Sequence, residues 1–254
     1  MRATLDARIA RAEELAGTHP DVANLLGFYR ELAVFQKSVA ADVRTGAATD
    51  VRALVPHLTP LLRLVEKIGP EPLVAFGSEH LRNSSAQQEL LVGFWEHGPA
   101  NELTGPEAGR FYARVLLQPY AEYLASRGDV QTDRAEPSCP FCNARPVAGV
   151  LRGEGDGGKR SLLCSLCAIE WQYRRVICPG CGEENKDKLP IYTAPDFDYV
   201  RVDACDTCQT YIKSVDLTKN GHAVPVVDEI ATVALNIWAE EHGYAKLEPN
   251  LLGM

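Results

Sequence analysis

The chain has 254 residues, 46 % of them hydrophobic, and a formal net charge of −8, enough for one large domain or two smaller ones with filled cores. Neither the part before the first cysteine nor the cysteine region is basic overall, which counts against a nucleic-acid footprint. The N-terminus, Met1-Arg-Ala-Thr-Leu-Asp-Ala-Arg8, has no long apolar core and no stretch is long enough to span a membrane, so the expectation is a cytoplasmic protein without an export signal.

Taken in order, residues 4–16 read as a short helix of mixed charge. Thr18-His-Pro-Asp21 is a helix-start signal with Pro in the first turn. Val22, Leu25, Leu26, Tyr29, Leu32 and Ala33 then recur at helical spacing, and Thr45-Gly46 ends that helix. Asp50 begins another, interrupted by Pro56 and Pro60 before Gly69-Pro70. Residues 73–82 and 87–95 are shorter helical segments, and 106–128 a longer one that Pro119 should kink. Asp129 to Ser138 is polar and reads as a linker.

All eight cysteines follow, as four CxxC pairs: Cys139/Cys142, Cys164/Cys167, Cys178/Cys181 and Cys205/Cys208. A CxxC turn brings two thiolates within reach of one ion, and two turns complete a tetrahedral sulfur site. The order repeats: a Pro-bearing knuckle, a gap of 21 or 23 residues, then a plain knuckle. Asn143 and Gly182 follow the Pro-bearing knuckles, residue types that tolerate left-handed backbone. Ala168 and Gln209 follow the plain ones and break that rule. The gaps read as strands, 147–151 and 160–164 in the first unit, 189–193 and 199–204 in the second. Alternation continues at Ile169/Trp171/Tyr173 and Tyr211/Lys213/Val215. The spacing favours two consecutive rubredoxin-like or zinc-ribbon modules, although interleaved pairing of the knuckles stays open.

After the Asn220-Gly221 turn, residues 227–241 read as one amphipathic helix ended by Gly243, with Asp228 and Glu229 offsetting the helix dipole at its start. The tail 244–254 should pack onto the surface. The expected architecture is α+β, with a helical domain over 1–137, metal modules over 138–176 and 177–222, and a C-terminal helix and docking tail over 223–254.

Other chemistry is thin. The Gly-rich run 153–159 joins two strands and carries Glu154 and Asp156, so it suits a hairpin turn rather than a phosphate loop. The six histidines are scattered, Asp196 and Asp198 sit in a turn, and no nucleophile elbow or triad is present. Nothing in the residues calls for an enzyme. A thiol-disulfide or thiol-transfer enzyme would leave a CxxC unmetallated. A zinc-ribbon nucleic-acid binder would need more than Arg174, Arg175 and Arg201. Four thiolates suit zinc or iron.

The cysteine region resembles the FdhE family of formate dehydrogenase accessory proteins. The resemblance is carried by Cys139-Pro-Phe-Cys142, Cys164-x-x-Cys167, Cys178-Pro-Gly-Cys181 and Ala204-Cys-Asp-Thr-Cys208 with Tyr211 and Lys213. It continues through Pro225-Val-Val-Asp-Glu-Ile-Ala231 to Pro249-Asn-Leu-Leu-Gly253. It implies a cytoplasmic maturation factor that binds the catalytic subunit of a respiratory formate dehydrogenase before export. It also implies two rubredoxin-like sites holding iron, with zinc as substitute, and makes Cys139, Cys142, Cys164, Cys167, Cys178, Cys181, Cys205 and Cys208 the ligands.

Overall fold

The structure, a computed structural model, describes residues 3–98, 106–133, 135–154 and 157–254. Helix α1 (Leu5–Thr18) starts where Thr4 Oγ1 accepts from the amide of Ala7, which satisfies one of the free first-turn donors. A short 3₁₀ turn, Pro20–Val22, leads into α2 (Ala23–Thr45). Gly46 closes α2 at φ 80°, the left-handed position that glycine takes without steric cost. Pro56 lies in a 3₁₀ turn (Arg52–His57), and α3 (Leu58–Ile68) follows. Helices α4 (Glu71–His80) and α5 (Ser84–His97) come next, α5 capped by the Asn83 side chain.

The long α6 (Glu107–Arg127) is the centre of the helical half, with Tyr112, Ala113, Val115, Leu116, Leu117 and Ala121 all fully buried. Pro119 lies inside it. Proline has no amide hydrogen, so the carbonyl of Val115, four residues back, loses its helical donor. Gln36 of α2 replaces it: its buried Nε2 donates to Val115 O at 3.0 Å and to Gln118 Oε1 at 3.0 Å. One side-chain amide thus repairs the proline defect and pins α2 to α6.

Each cysteine unit contributes a three-stranded antiparallel ribbon. The first is β1 (Pro146–Glu154), β2 (Gly157–Cys164) and β3 (Glu170–Gln172). The second is β4 (Ile191–Thr193), β5 (Val200–Cys205) and β6 (Thr210–Asp216). The tip of the first hairpin, expected as a turn within 153–159, lies outside the described residues at 155–156. The ribbons join edge to edge through β1 and β6, which run parallel with Gly149 opposite Ser214. The sheet order is β3-β2-β1-β6-β5-β4, and a short β7 (Ala245–Lys246) also pairs with β6.

Glycine is required at this seam. A Cβ at Gly149 would stand 2.1 Å from Ser214 Oγ. The gap also lets Arg160 of β2 reach across β1 and β6 to Asp203 of β5, with Nη2 3.3 Å from Oδ2. The linker does not run free: Thr132 O accepts from Gln172 N, and Glu136 O accepts from the Trp171 indole, both at 2.7 Å.

The last helix differs from expectation. It is two helices, α7 (Pro225–Ala231) and α8 (Val233–Glu241), broken at Thr232. The cause is a buried ammonium. Lys213 of β6 donates to Glu229 O at 2.5 Å, Thr232 O at 3.1 Å and Thr232 Oγ1 at 3.1 Å. The lysine occupies both carbonyls at the break, and Thr232 O also accepts from Leu235 N at 3.0 Å, where α8 starts afresh. The tail packs down as expected, with Leu247 and Leu251 buried.

Replacing Gln36 by Leu leaves the Val115 carbonyl buried and unpaired, and should cost about 1–3 kcal/mol. In a Pro119→Ala background, where position 119 regains its amide hydrogen, the same change should cost clearly less. Chemical denaturation of the four forms measures this; equal costs in both backgrounds would contradict the repair.

Candidate metal centres

Each knuckle is shaped by its own backbone. The residue after the second cysteine turns left-handed in all four: Asn143 (φ 58°), Ala168 (φ 52°), Gly182 (φ 79°) and Gln209 (φ 55°). Asn143, Ala168 and Gln209 are the three non-glycine residues with positive φ among the described residues. The rule that Ala168 and Gln209 break in sequence therefore holds in conformation. Those two accept a strain of roughly 1–2 kcal/mol because the turn around the sulfurs demands it. Reciprocal backbone bonds lock the first and third knuckles: Asn143 N to Cys139 O and Cys139 N to Ala144 O, Gly182 N to Cys178 O and Cys178 N to Glu183 O, all at 2.9 Å.

The knuckles group in chain order. Cys139, Cys142, Cys164 and Cys167 form one cluster, and Cys178, Cys181, Cys205 and Cys208 the other; within each, all sulfurs lie within 4.8 Å of one another. Sulfur contacts of 3.3 to 3.7 Å (Cys142–Cys164 and Cys181–Cys205 at the extremes) are far too long for disulfides, which need about 2.05 Å. A tetrahedron with metal–sulfur bonds of about 2.3 Å has edges of about 3.8 Å, so each cluster could hold a metal ion. No CxxC pair is left outside a cluster.

The electrostatics agree with a cation at each centre. Within each cluster the thiols are driven apart: burial pushes Cys164 well above its ordinary range and Cys178 up to about 12. Hydrogen bonds from the neighbouring cysteines hold Cys139 far below that range and, against burial, hydrogen bonds bring Cys208 to about 7. Four thiolates so close cannot all ionise unless positive charge sits among them. Backbone amides already point at sulfur, Leu166 and Cys167 towards Cys164 at 3.3 and 3.4 Å, and Gly180 towards Cys178 at 3.3 Å.

The two centres differ in exposure. The first is embedded against the helical half: Cys164 and Cys167 belong to the main core, and Gln118 of α6 donates to Ser165 O at 2.9 Å. The second is open at Cys181, which is exposed, and its rim is held by Thr207 Oγ1 donating to Glu183 at 2.6 Å.

Asp228 stands in the first turn of α7 and serves its start, as expected, but neither it nor Glu229 is there for the dipole alone: both are fully buried and bind other elements. Asp228 accepts from Arg11 of α1 (Nη2 to Oδ1, 2.6 Å), from Tyr199 Oη at 2.9 Å and from Val224 N at 2.7 Å. Glu229 faces Lys213 at 3.0 Å and Lys246, and accepts from Asn250 Nδ2 at 2.8 Å. Burial opposes its ionisation, yet the two lysines hold its carboxyl down to about 2. Burial lowers Lys213 to about 8. Arg114 of α6 pairs with Glu248 and donates to Pro249 O at 3.0 Å. The signal was available: two adjacent acids inside an apolar run, opposite a lone lysine in an apolar strand. The basic residues weighed for nucleic acid are largely engaged, Arg174 with Glu184 and Arg201 with Asp203. Among the described residues no helix is long and apolar enough to cross a membrane.

Replacing Cys142 and Cys164 together by serine should remove one equivalent of bound metal and leave the second, by elemental analysis of purified protein. Loss of both equivalents would mean that the clusters are not independent.

The comparisons agree with this architecture. Residues 138–175 match the family model for the FdhE central domain, and 176–252 that for the FdhE C-terminal domain. The FdhE homologue of Aquifex aeolicus is 32 % identical over 208 residues, covering 80 % of this chain and 71 % of that protein. The homologue of Pseudomonas putida is 32 % identical over 212 residues, covering 80 % and 63 %. The homologue of Pseudomonas aeruginosa is 37 % identical over 152 residues, covering 56 % and 48 %. The crystal structure of the FdhE protein from Pseudomonas aeruginosa shares the fold, with a TM-score of 0.74 at 24 % identity over 99 % of this chain and 96 % of that one. The chain belongs to the FdhE family.

Proposed function

We propose that this protein is a maturation factor that binds the catalytic subunit of a respiratory formate dehydrogenase in the cytoplasm before export. The observation that carries the reading is family membership combined with two complete four-cysteine clusters. In this reading the eight cysteines are the ligands of two metal ions. Cys139, Cys142, Cys164 and Cys167 hold one, and Cys178, Cys181, Cys205 and Cys208 the other. Iron is the native ion and zinc the substitute, since tetrahedral thiolates accept both. The rest of the chain has a binding role: α6, the sheet and the tail present the clusters on a rigid body, and the client supplies the formate chemistry.

The clusters support the client contact through folding. Metal binding by unfolded thiols is weak, so the ligation energy of a formed site stabilises the fold around it. Loss of the second ion should loosen β4 to β6, because β5 ends at Cys205, β6 starts two residues after Cys208 and β4 pairs with β5.

Pull-down from the native host tests the reading. Wild-type protein should retain the formate dehydrogenase catalytic subunit, and Cys178→Ser should retain less. A deletion strain should lose enzyme activity without losing the transcript. Normal activity in the deletion strain, with no related gene present, would overturn the client assignment. Protein purified without oxygen should contain iron and absorb visible light; stoichiometric zinc in colourless protein would contradict the metal assignment.

A further inference from the structure

A cavity of about 230 Å³ lies between the two cysteine units, against the second cluster. Cys178 and Cys205 form part of its wall. Most of the remaining wall is apolar: Ile177, Leu189, Pro190, Ile212 and Leu247. Two of its lining residues, Val176 and Ile191, are large apolar side chains left 48 % and 54 % exposed. Exposed apolar residues are ordinary when scattered; two on the rim of one cavity form a patch.

The charges around it are unequal. Arg160, Arg175 and Lys186 line the cavity against one carboxylate, Asp203. Asp203 is already engaged, accepting from Ser214 Oγ at 2.6 Å and pairing with Arg201 at 2.8 Å. Arg160, 3 % exposed, is itself paired with Asp203 at 3.3 Å and donates Nη1 to Ile177 O at 3.3 Å, so the excess positive charge of the lining is carried by the exposed Arg175 and Lys186. The cavity is therefore a locally cationic site on a chain of net charge −8. Ile191 belongs to β4, the last strand in the sheet order. Its outer edge has no strand partner among the described residues, and such an edge can accept an added extended segment.

We propose that this cavity is the client-binding cleft, and that it takes an extended segment of the client in which an apolar side chain lies next to a carboxylate. The inference rests on the maturation reading above and specifies its contact surface. The apolar side chain enters between Val176, Ile191 and Leu247. The carboxylate faces Arg175 and Lys186, and the segment lies along β4. Because Cys178 and Cys205 wall the cleft, its shape depends on the second cluster, and client binding is tied to that cluster's integrity.

The test is capture of the purified catalytic subunit by full-length, metal-loaded protein. Ile191→Asp puts a charge into the wall that the client's apolar side chain would enter, and should weaken capture at least tenfold while both metal equivalents remain. The double change Arg175→Glu with Lys186→Glu touches only exposed side chains, so it keeps the question answerable if Ile191→Asp disturbs folding; it should weaken capture similarly. Ile237→Asp, on the equally exposed α8 residue away from the cavity, should capture as wild type does. Capture by wild type with equal capture by the charge-reversed form overturns the cleft alone. Failure of wild type to capture the subunit overturns the client assignment and the cleft with it.

Discussion

Two adjacent carboxylates on one buried helix hold the layers together. Helix α7 lies between α1 and α2 on one side and β1 and β6 on the other. Asp228 reaches back to Arg11 of α1. Glu229 reaches Lys213 in the sheet, and Lys246 and Asn250 in the tail. Both carboxylates are wholly buried, so each must be matched by charge and hydrogen bonds or the fold pays a large desolvation cost. Such pairs add less stability than their short distances suggest. Their stronger effect is on arrangement, since removing one partner of a buried pair typically costs about 3–5 kcal/mol. Sheet, tail and helical half are thereby held in one register.

The cysteine clusters depend on that register. β6 begins two residues after Cys208 and carries Lys213, and it is the strand onto which β1 and β7 both pair. Fixing β6 against α7 fixes the seam at Gly149 and Ser214, and so the relation between the two cysteine units. The first centre then sits against α6, where Gln118 holds the loop between Cys164 and Cys167. The second faces outward beside the cleft. One cluster is built into the core and the other into a surface.

Much of this was legible in sequence. The eight cysteines, their order and spacing carried the two clusters, because CxxC geometry is local. The helix around Leu26 followed from apolar periodicity, the segments holding Leu61 and Leu116 were bounded by Pro and Gly, and Gly46 marked its helix end. What escaped was non-local. The break at Thr232 depends on a lysine nineteen residues earlier. The repair of Pro119 depends on Gln36. Asp228 and Glu229 looked like dipole partners because a helix start is where acids usually stand; only the packing of α1 and β6 over them makes them buried. Ala168 and Gln209 gave no glycine-like signal, since the knuckle imposes the left-handed turn on whatever residue stands there. The joining of two ribbons into one sheet rests on three parallel pairs, too few for any pattern to announce.

Hydrogen exchange of the metal-loaded chain, wild type against Glu229→Gln, tests the central claim. The substitution keeps the side chain's shape and removes its charge, leaving Lys213 and Lys246 without their carboxylate. The account predicts that amides of α7, β6 and the tail 245–254 lose protection together, while α2 and α6 keep theirs. Loss confined to the residues next to 229, with β6 and the tail unchanged, would contradict it.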